Sequence, residues 1–131
     1  MKKTDIAYFA GIVDGEGYIG IYIIGKRRQY HMEVGVSNTN FWLLSQLKFA
    51  FNGTIRGPYS GGRCLIWRVT DKQALIFLET LLPYLHLKRP QAELAIRFQK
   101  RKRNTGRAHI SDGEIALREA ERILCHNLKT Q

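Results

Sequence analysis

The sequence predicts an α+β fold in which helices and antiparallel β-hairpins follow one another in the order αββαββα. Residues 18–24 are mainly β-branched and aromatic, and residues 29–37 alternate between apolar and polar, as a hairpin with one buried face does. A second pair of segments, 54–59 and 63–70, flanks a Ser-Gly-Gly turn at 60–62, whose glycines accept the positive φ angles of tight turns. Two such hairpins can join into one antiparallel four-stranded sheet with helices stacked on one face.

Helical spacing of apolar residues supplies the other elements. The first helix is expected to begin at Thr4 and Asp5, whose side-chain oxygens can cap it, and to end at the glycines within 14–17. Three further helices are predicted at about 40–51, 71–82 and 90–102. We expect Asn40 and Asp71 to cap the first two of these three. Trp42, Trp67 and Phe98 lie in apolar periodic segments and are predicted to be core residues.

The chain is predicted to be a single domain, residues 1–131, with a core at about 4–103 and a C-terminal helical extension at about 111–128. Ser111 and Glu114 form the S-x-x-E pattern of a capping box at the start of the extension. This last helix is expected to expose Glu114, Arg118, Glu121 and Arg122. It is expected to turn Ile115, Leu117, Ile123 and Leu128 inward to varying degrees.

The charge of the chain indicates a polyanionic partner. Its 21 Lys and Arg against 11 Asp and Glu give a net charge of +10, which favours binding to nucleic acid through the release of condensed counterions. A membrane surface is the competing interpretation, but no apolar run approaches the ~20 residues of a spanning helix. Two cysteines without paired spacing and the lack of a secretory signal predict a cytoplasmic (nucleoid) or organelle-matrix protein that is not secreted.

Three segments resemble one known protein family. Residues 9–17 read Phe-Ala-Gly-Ile-Val-Asp-Gly-Glu-Gly, which is similar to the LAGLIDADG motif, and residues 82–92 and 36–40 resemble two further segments of the same family. The resemblance covers residues 4 to about 100. It implies a LAGLIDADG homing endonuclease of the single-motif, homodimeric type, with an αββαββα core whose four-stranded sheet forms half of a saddle over DNA.

Such a protein cuts double-stranded DNA at a long, partly palindromic site. Small residues near i, i+4 spacing in the motif allow two motif helices to approach closely, and the resemblance implies that they pack side by side at the dimer axis. The expected interface consists of Phe9, Ala10, Gly11, Val13, Asp14 and Gly15.

The same resemblance assigns the catalytic residues. Glu16 of each subunit would lie near the dimer axis and bind Mg²⁺, or another divalent cation such as Mn²⁺, with the carbonyl of Gly15 adding a contact. Lys88 would lie near the attacked phosphate, and Asn38 would position solvent around the metal.

We expect DNA contacts from the polar face of the first hairpin and from arginines of the second. The predicted residues are Tyr22, Ile24, Lys26, Arg28, Gln29, His31, Glu33, Ser37, Arg56, Arg63 and Arg68. Arg63 and Arg68 are five residues apart, so in a regular strand they face opposite ways and one contacts only phosphate or solvent, unless a bulge intervenes.

Each of these residues, taken alone, also has a structural interpretation that involves no function. Glu16 between two glycines is also typical of a turn at a strand entry, Lys88 of a solvated charge, and Asn38 of a turn former. The residues predicted to contact DNA are also typical of the solvent-exposed face of a strand. It is the combination of three matching segments that favours the functional interpretation.

Two other functions stay open at this point. One is a LAGLIDADG protein that binds DNA or RNA without cutting, as a regulator or an intron maturase. The presence of both Glu16 and Lys88 argues against lost chemistry. The other is a basic RNA-binding or ribosome-associated protein, which monomeric behaviour and indifference to divalent metals would identify.

Overall fold

The computed structural model describes residues 1–25, 29–59, 61–105 and 110–129, without the side chains of 104 and 105. Its elements confirm the predicted αββαββα order. They are α1 (Lys3–Glu16), β1 (Gly17–Ile24), β2 (Gln29–Asn38), α2 (Phe41–Phe51), β3 (Thr54–Arg56), β4 (Leu65–Thr70), α3 (Asp71–Leu81), a 3-10 turn (Leu82–Tyr84), α4 (Arg89–Thr105) and α5 (Asp112–Leu128). Among the described residues, no helix is long and apolar enough to cross a membrane.

The four strands form one antiparallel sheet in the order β1-β2-β4-β3. Its core face is apolar and carries the predicted alternation of β2, because Met32 and Val34 are fully buried. Trp67 of β4 packs edge-on against Phe77 of α3 with ring centroids 5.0 Å apart, and Phe77 meets Phe51 of α2 at 4.6 Å. These aromatic contacts fasten α2 and α3 to the core side of the sheet.

The second hairpin is shorter than predicted. β3 ends at Arg56 because Gly57 has a φ of 107° and Pro58 has no N–H to continue the ladder. β4 begins only at Leu65, so Arg63 lies in the exposed connection and not in a strand. The question of which face of a strand Arg63 occupies therefore does not arise.

Two of the four predicted helix caps were wrong, those of α1 and α3. Asn40 caps α2, since its Oδ1 accepts a hydrogen bond from the Leu43 N–H at 3.1 Å. α1 begins one residue before Thr4 without a side-chain cap. Asp71 does not cap α3, because its carboxylate contacts His31 Nδ1 at 2.9 Å and accepts from Lys102 Nζ at 3.2 Å.

The predicted orientation of α5 was wrong in part, because Ile115 and Leu128 pack against the core as expected but other residues do not follow the prediction. Arg118 and Glu121 are only 4% and 8% exposed, whereas Leu117 and Ile123 are 45% and 46% exposed. The reason is Arg101 of α4, which meets α5 at this point and pairs with acidic residues there. The prediction of Trp42 as a core residue was also wrong, whereas Trp67 and Phe98 are buried as expected.

Ion pairs therefore hold α5 against α4. The Glu114 N–H is capped by Ser111 Oγ at 3.1 Å, as predicted, but the Glu114 carboxylate turns inward and accepts from Arg101 Nε and Arg118 Nε, each at 3.0 Å. Arg101 Nη1 also donates to Glu121 Oε2 at 3.0 Å. Breaking one member of such a set leaves its partners desolvated and unpaired, which is costly.

This arrangement predicts a specific loss of stability in acid. Burial alone raises the pKa of Glu114, but hydrogen bonds from Arg118 and Arg101 outweigh burial and hold that pKa below its ordinary value of 4.5. The contribution of Glu114 to stability is therefore complete above the unfolded-state pKa and is lost as the pH falls through the lower, folded-state pKa. We expect the melting temperature to fall less steeply below about pH 5 in Glu114→Gln than in the unmodified chain.

Thermal melts at a series of pH values measure this difference. Glu93→Gln is the matched control, because Glu93 is exposed and pairs only with Arg89 on the surface of α4 in the described structure. An acid slope in Glu114→Gln as steep as that of Glu93→Gln would contradict the assignment.

Candidate active site and DNA-binding surface

The C-terminal end of α1 presents an exposed carboxylate. The helix ends at Glu16, and Gly17 starts β1 at once. A Cβ at residue 17 would lie 2.9 Å from the carbonyl oxygen of Val13, so this abrupt change from helix to strand requires glycine. Asn38, at the end of the neighbouring strand, donates from Nδ2 to Glu16 Oε2 at 2.5 Å. The structure thus brings Glu16 and Asn38 together.

Lys88 is brought to the same helix end by Asp14. The Asp14 carboxylate accepts from the backbone N–H of His86 at 2.8 Å and of Lys88 at 3.0 Å, and Lys88 Nζ donates to the Asp14 carbonyl oxygen at 2.6 Å. Asp14 therefore holds the segment before α4, and the lysine ammonium lies over the last turn of the motif helix.

The chemistry of this helix end fits a divalent cation in part. A carboxylate and the unpaired carbonyl groups of a last helical turn are hard oxygen donors, and the helix dipole there favours positive charge. Glu16 and the Gly15 carbonyl are the donors this chain can offer. In the described part of the chain, no group of three His, Cys, Asp or Glu residues could hold a metal ion. The remaining ligands must come from outside the chain.

The uncovered face of the sheet carries most of the residues predicted to contact DNA. Cross-strand pairs Tyr22↔His31, Ile24↔Gln29 and Arg56↔Ile66 put both members of each pair on one face. The register places the following residues together on this open face: Tyr22, Ile24, Gln29, His31, Glu33, Ser37, Arg56 and Arg68. Lys26 and Arg28 lie outside the described residues. Arg63 is exposed in the connection before β4.

Two tyrosines flatten this face. A Cβ on Gly35 would lie 2.4 Å from the ring of Tyr18, and a Cβ on Gly20 would lie 2.4 Å from the hydroxyl oxygen of Tyr22. Each ring therefore lies directly over a glycine of the sheet.

Sequence reasoning missed two residues at this face. Tyr18 has the same strand parity as Tyr22, and that parity was the available signal. Lys129, after α5, lies 3.5 Å from the Tyr22 hydroxyl and 5.5 Å from its ring centroid. Nothing in the sequence signals the second contact, because the two residues are far apart along the chain.

The predicted subunit interface needs correction. Phe9, Ala10 and Val13 are buried within the chain's own core, so these three side chains are not available to a second subunit. Gly11 and Gly15 lie on the opposite, exposed side of α1, with open space where a Cβ would be. The two faces of the motif helix thus have different contents, large apolar residues inward and glycine outward.

The chain is similar to a known DNA endonuclease. It is 32% identical over 113 residues to DNA endonuclease I-CvuI of Chlorella vulgaris, and the match covers 79% of this chain and 68% of the relative. A crystal structure of I-CvuI with the I-CreI target and 2 mM Mg, in which the DNA is not cleaved, matches with a TM-score of 0.81 and 26% identity over 96% of this chain and 82% of that chain. The chain belongs to the LAGLIDADG homing endonuclease family.

More distant members of the LAGLIDADG family share the fold. The archaeal intron-encoded homing endonuclease I-Vdi141I, complexed with DNA, matches with a TM-score of 0.82 at 14% identity, over 98% of this chain and 86% of that chain. LAGLIDADG meganuclease I-AabMI, bound to uncleaved DNA, matches with a TM-score of 0.75 at 21% identity, over 89% of this chain and 43% of that chain. No protein-family model matches the chain.

Proposed function

We propose that two copies of this chain assemble on double-stranded DNA and cut both strands of a long, partly palindromic site by hydrolysis, with Mg²⁺ as the metal ion. Site-specific, metal-dependent DNA endonuclease activity rests on the similarity to I-CvuI and its DNA complexes. The observation that carries the proposal is the grouping of Glu16, Asn38 and Lys88 at the exposed end of the motif helix. That grouping supplies an oxygen ligand, an amide and a cation at one place.

Glu16 and the Gly15 carbonyl would hold the metal. When bound, a divalent ion lowers the pKa of a water and neutralises negative charge on the phosphate oxygens. Asn38 holds one oxygen of the Glu16 carboxylate through its amide N–H, which fixes the orientation of the ligand. Lys88 keeps an ammonium group at the same helix end through its hydrogen bond to the Asp14 carbonyl, where it would stabilise the charge that develops on a phosphate.

The DNA is expected on the open face of the sheet. This face is not covered by the helices, carries Arg56 and Arg68, and belongs to a chain with a net charge of +10. A two-stranded antiparallel ribbon fits the major groove, where base edges are distinguishable. Phosphate contacts from the surrounding lysines and arginines would position the duplex.

The second copy is expected along the outward face of α1. Gly11 and Gly15 leave room for close approach of another helix. Beside them, Tyr8, Trp42 and Phe49 expose large apolar surfaces, with Phe49 93% exposed, as interface residues of an isolated subunit do. A second copy would also bring a second Glu16 to the metal site, since among the described residues the other carboxylate at this helix end, Asp14, accepts from the backbone of His86 and Lys88.

Selection of cleaved sites from a randomised duplex library tests the proposal. With Mg²⁺ we expect one long, partly palindromic site to be recovered, and none when the metal is chelated. Recovery of bound but uncut DNA would favour the regulator or maturase alternative. Cleavage without sequence preference would contradict a homing endonuclease.

A further inference from the structure

Three side chains on the open face form a connected group that includes a carboxylate. Tyr18 of β1, Gly35 of β2 and Arg68 of β4 lie directly opposite one another in a single cross-strand row, and Glu33 is two residues along β2 from Gly35. The Tyr18 hydroxyl donates to Glu33 Oε2 at 2.6 Å. Arg68 Nη1 lies 3.9 Å from Glu33 Oε1. Glu33 is thus approached by a donor from one neighbouring strand and by a cation from the other.

Gly35 makes this grouping possible. Any side chain at residue 35 would project into the position of the Tyr18 ring, because a Cβ there would lie 2.4 to 2.5 Å from ring and hydroxyl atoms. With glycine, the ring crosses over β2 and its hydroxyl reaches Glu33. Burial and the hydrogen bond to Glu33 both raise the pKa of Tyr18, so the hydroxyl stays protonated and continues to donate.

Glu33 and Arg68 differ in how far their side chains are exposed to solvent. The Glu33 side chain is 19% exposed, and the Arg68 side chain is 38% exposed. A free carboxylate on a DNA-facing surface would repel phosphates, but here its charge faces Arg68 and its other oxygen is taken by Tyr18. At 3.9 Å the contact between Arg68 Nη1 and Glu33 Oε1 is an ion pair and not a hydrogen bond, so it leaves the N–H donors of the guanidinium for a base.

We propose that Glu33 is a positioning residue, held by Tyr18 across Gly35, that orients Arg68 to read a guanine in each half of the DNA site. This proposal rests on the DNA-binding role of the open face proposed above. Arginine pairs bidentately with O6 and N7 of guanine in the major groove. A guanidinium held in place before binding loses less side-chain entropy when it forms those bonds. Glu33 therefore makes no base contact of its own, in contrast to its predicted role.

The guanine lies in the inner part of each half-site. The Tyr18-Gly35-Arg68 row is three residues from Asn38, which contacts Glu16, and three residues of a strand span about 10 Å. This row is thus next to the end of the sheet that carries the predicted catalytic groups, and base pairs near the cut are read there.

Binding selection with the full chain tests the proposal, using a randomised duplex library with Ca²⁺ in place of Mg²⁺. The unmodified chain should prefer guanine roughly 5- to 150-fold at one position in each half-site. Arg68→Lys, Glu33→Gln and Tyr18→Phe should each reduce the preference at that same position and leave other positions unchanged. Glu79→Gln is the matched control, since it makes the same chemical change on the exposed surface of α3 and should keep every preference.

Two outcomes would overturn the proposal. If Glu33→Gln removes a cytosine preference at a position different from the one that Arg68→Lys affects, Glu33 reads a base itself. If Tyr18→Phe, which keeps the ring over Gly35, leaves the preference at the Arg68 position intact, the hydroxyl does not position the group. Cleavage is scored separately in Mg²⁺, so failure of the unmodified chain to cut its selected sites would contradict the proposed function and not this base preference.

Discussion

Glu16→Gln is expected to reduce DNA cleavage by on the order of 10³-fold or more, comparable to the loss of a principal charge-stabilising group in other hydrolytic sites. Glutamine keeps the size of the side chain and an oxygen that can accept from Asn38, so the local structure should persist. It removes the negative charge that binds a divalent cation. Single-turnover cleavage of the selected site in Mg²⁺ measures the effect.

DNA binding separates this effect from unfolding. Removal of a negative charge from a DNA-facing helix end should leave affinity in Ca²⁺ unchanged or slightly tighter. Glu79→Gln serves again as a control and should cut normally, because Glu79 lies on the surface of α3 and pairs with Lys100. Cleavage by Glu16→Gln at the normal rate would remove Glu16 from the metal site.

Gly15→Leu is expected to weaken subunit association by about 100-fold or more, the loss typical of a central interface contact. Within one described chain we expect the substitution to be tolerated, because a Cβ at residue 15 would have no heavy atom within 4 Å apart from its chain neighbours and the backbone of its own helix. Replacing a helical glycine should even stabilise the folded subunit slightly. The added side chain would therefore project into space that a second copy is proposed to occupy. Sedimentation over a concentration series measures the association.

Gly113→Leu on α5 provides the matched comparison. It makes the same change in an exposed helical glycine, where a Cβ would meet only Ser111 Oγ at an ordinary distance of 3.9 Å, and it lies far along the chain from the motif. This variant should associate like the unmodified chain. A Gly15→Leu protein that remains a tight dimer would refute the proposed motif-helix interface, and weakening by both variants would point to a general effect on folding.

Local patterns in the sequence were sufficient for the sheet. The alternation along β2 sets which side chains face the core, and pairing register then carries that parity to β1 and β4. For this reason Tyr22 and His31 lie on one face as predicted, and Arg68, whose face the sequence left open, lies on the same face. The ends of β3 could not be read with the same accuracy, because the conformation of Gly57 depends on its surroundings.

Which face of a helix is buried depends on the residues of the element packed against it. A single sequence does not show which residues those are. α5 has an amphipathic pattern, yet Arg118 and Glu121 turn inward because Arg101, 17 and 20 residues away, occupies the facing position. Asp71 is of a residue type that often caps helices, but its carboxylate accepts a hydrogen bond from Lys102 instead.

The motif helix shows the same limit in a different form. Its two faces serve two purposes, and Phe9 and Val13 belong to the inner one. The spacing contained a usable signal, since the large apolar residues recur at i, i+4 and the glycines at positions 11 and 15 do so on the other side. Reading the motif as a single interface combined two surfaces that the fold keeps apart.

Asp14 links the two predicted catalytic groups mechanically. Asp14 lies in the same helical turn as Glu16. Its carboxylate accepts a hydrogen bond from the Lys88 backbone N–H, and its carbonyl oxygen accepts one from the Lys88 ammonium. Glu16 and Lys88 are therefore expected to move together when α1 moves. Docking of two motif helices against each other would set both groups in a single step, so assembly and alignment of the cutting machinery would be one event for each half of the duplex.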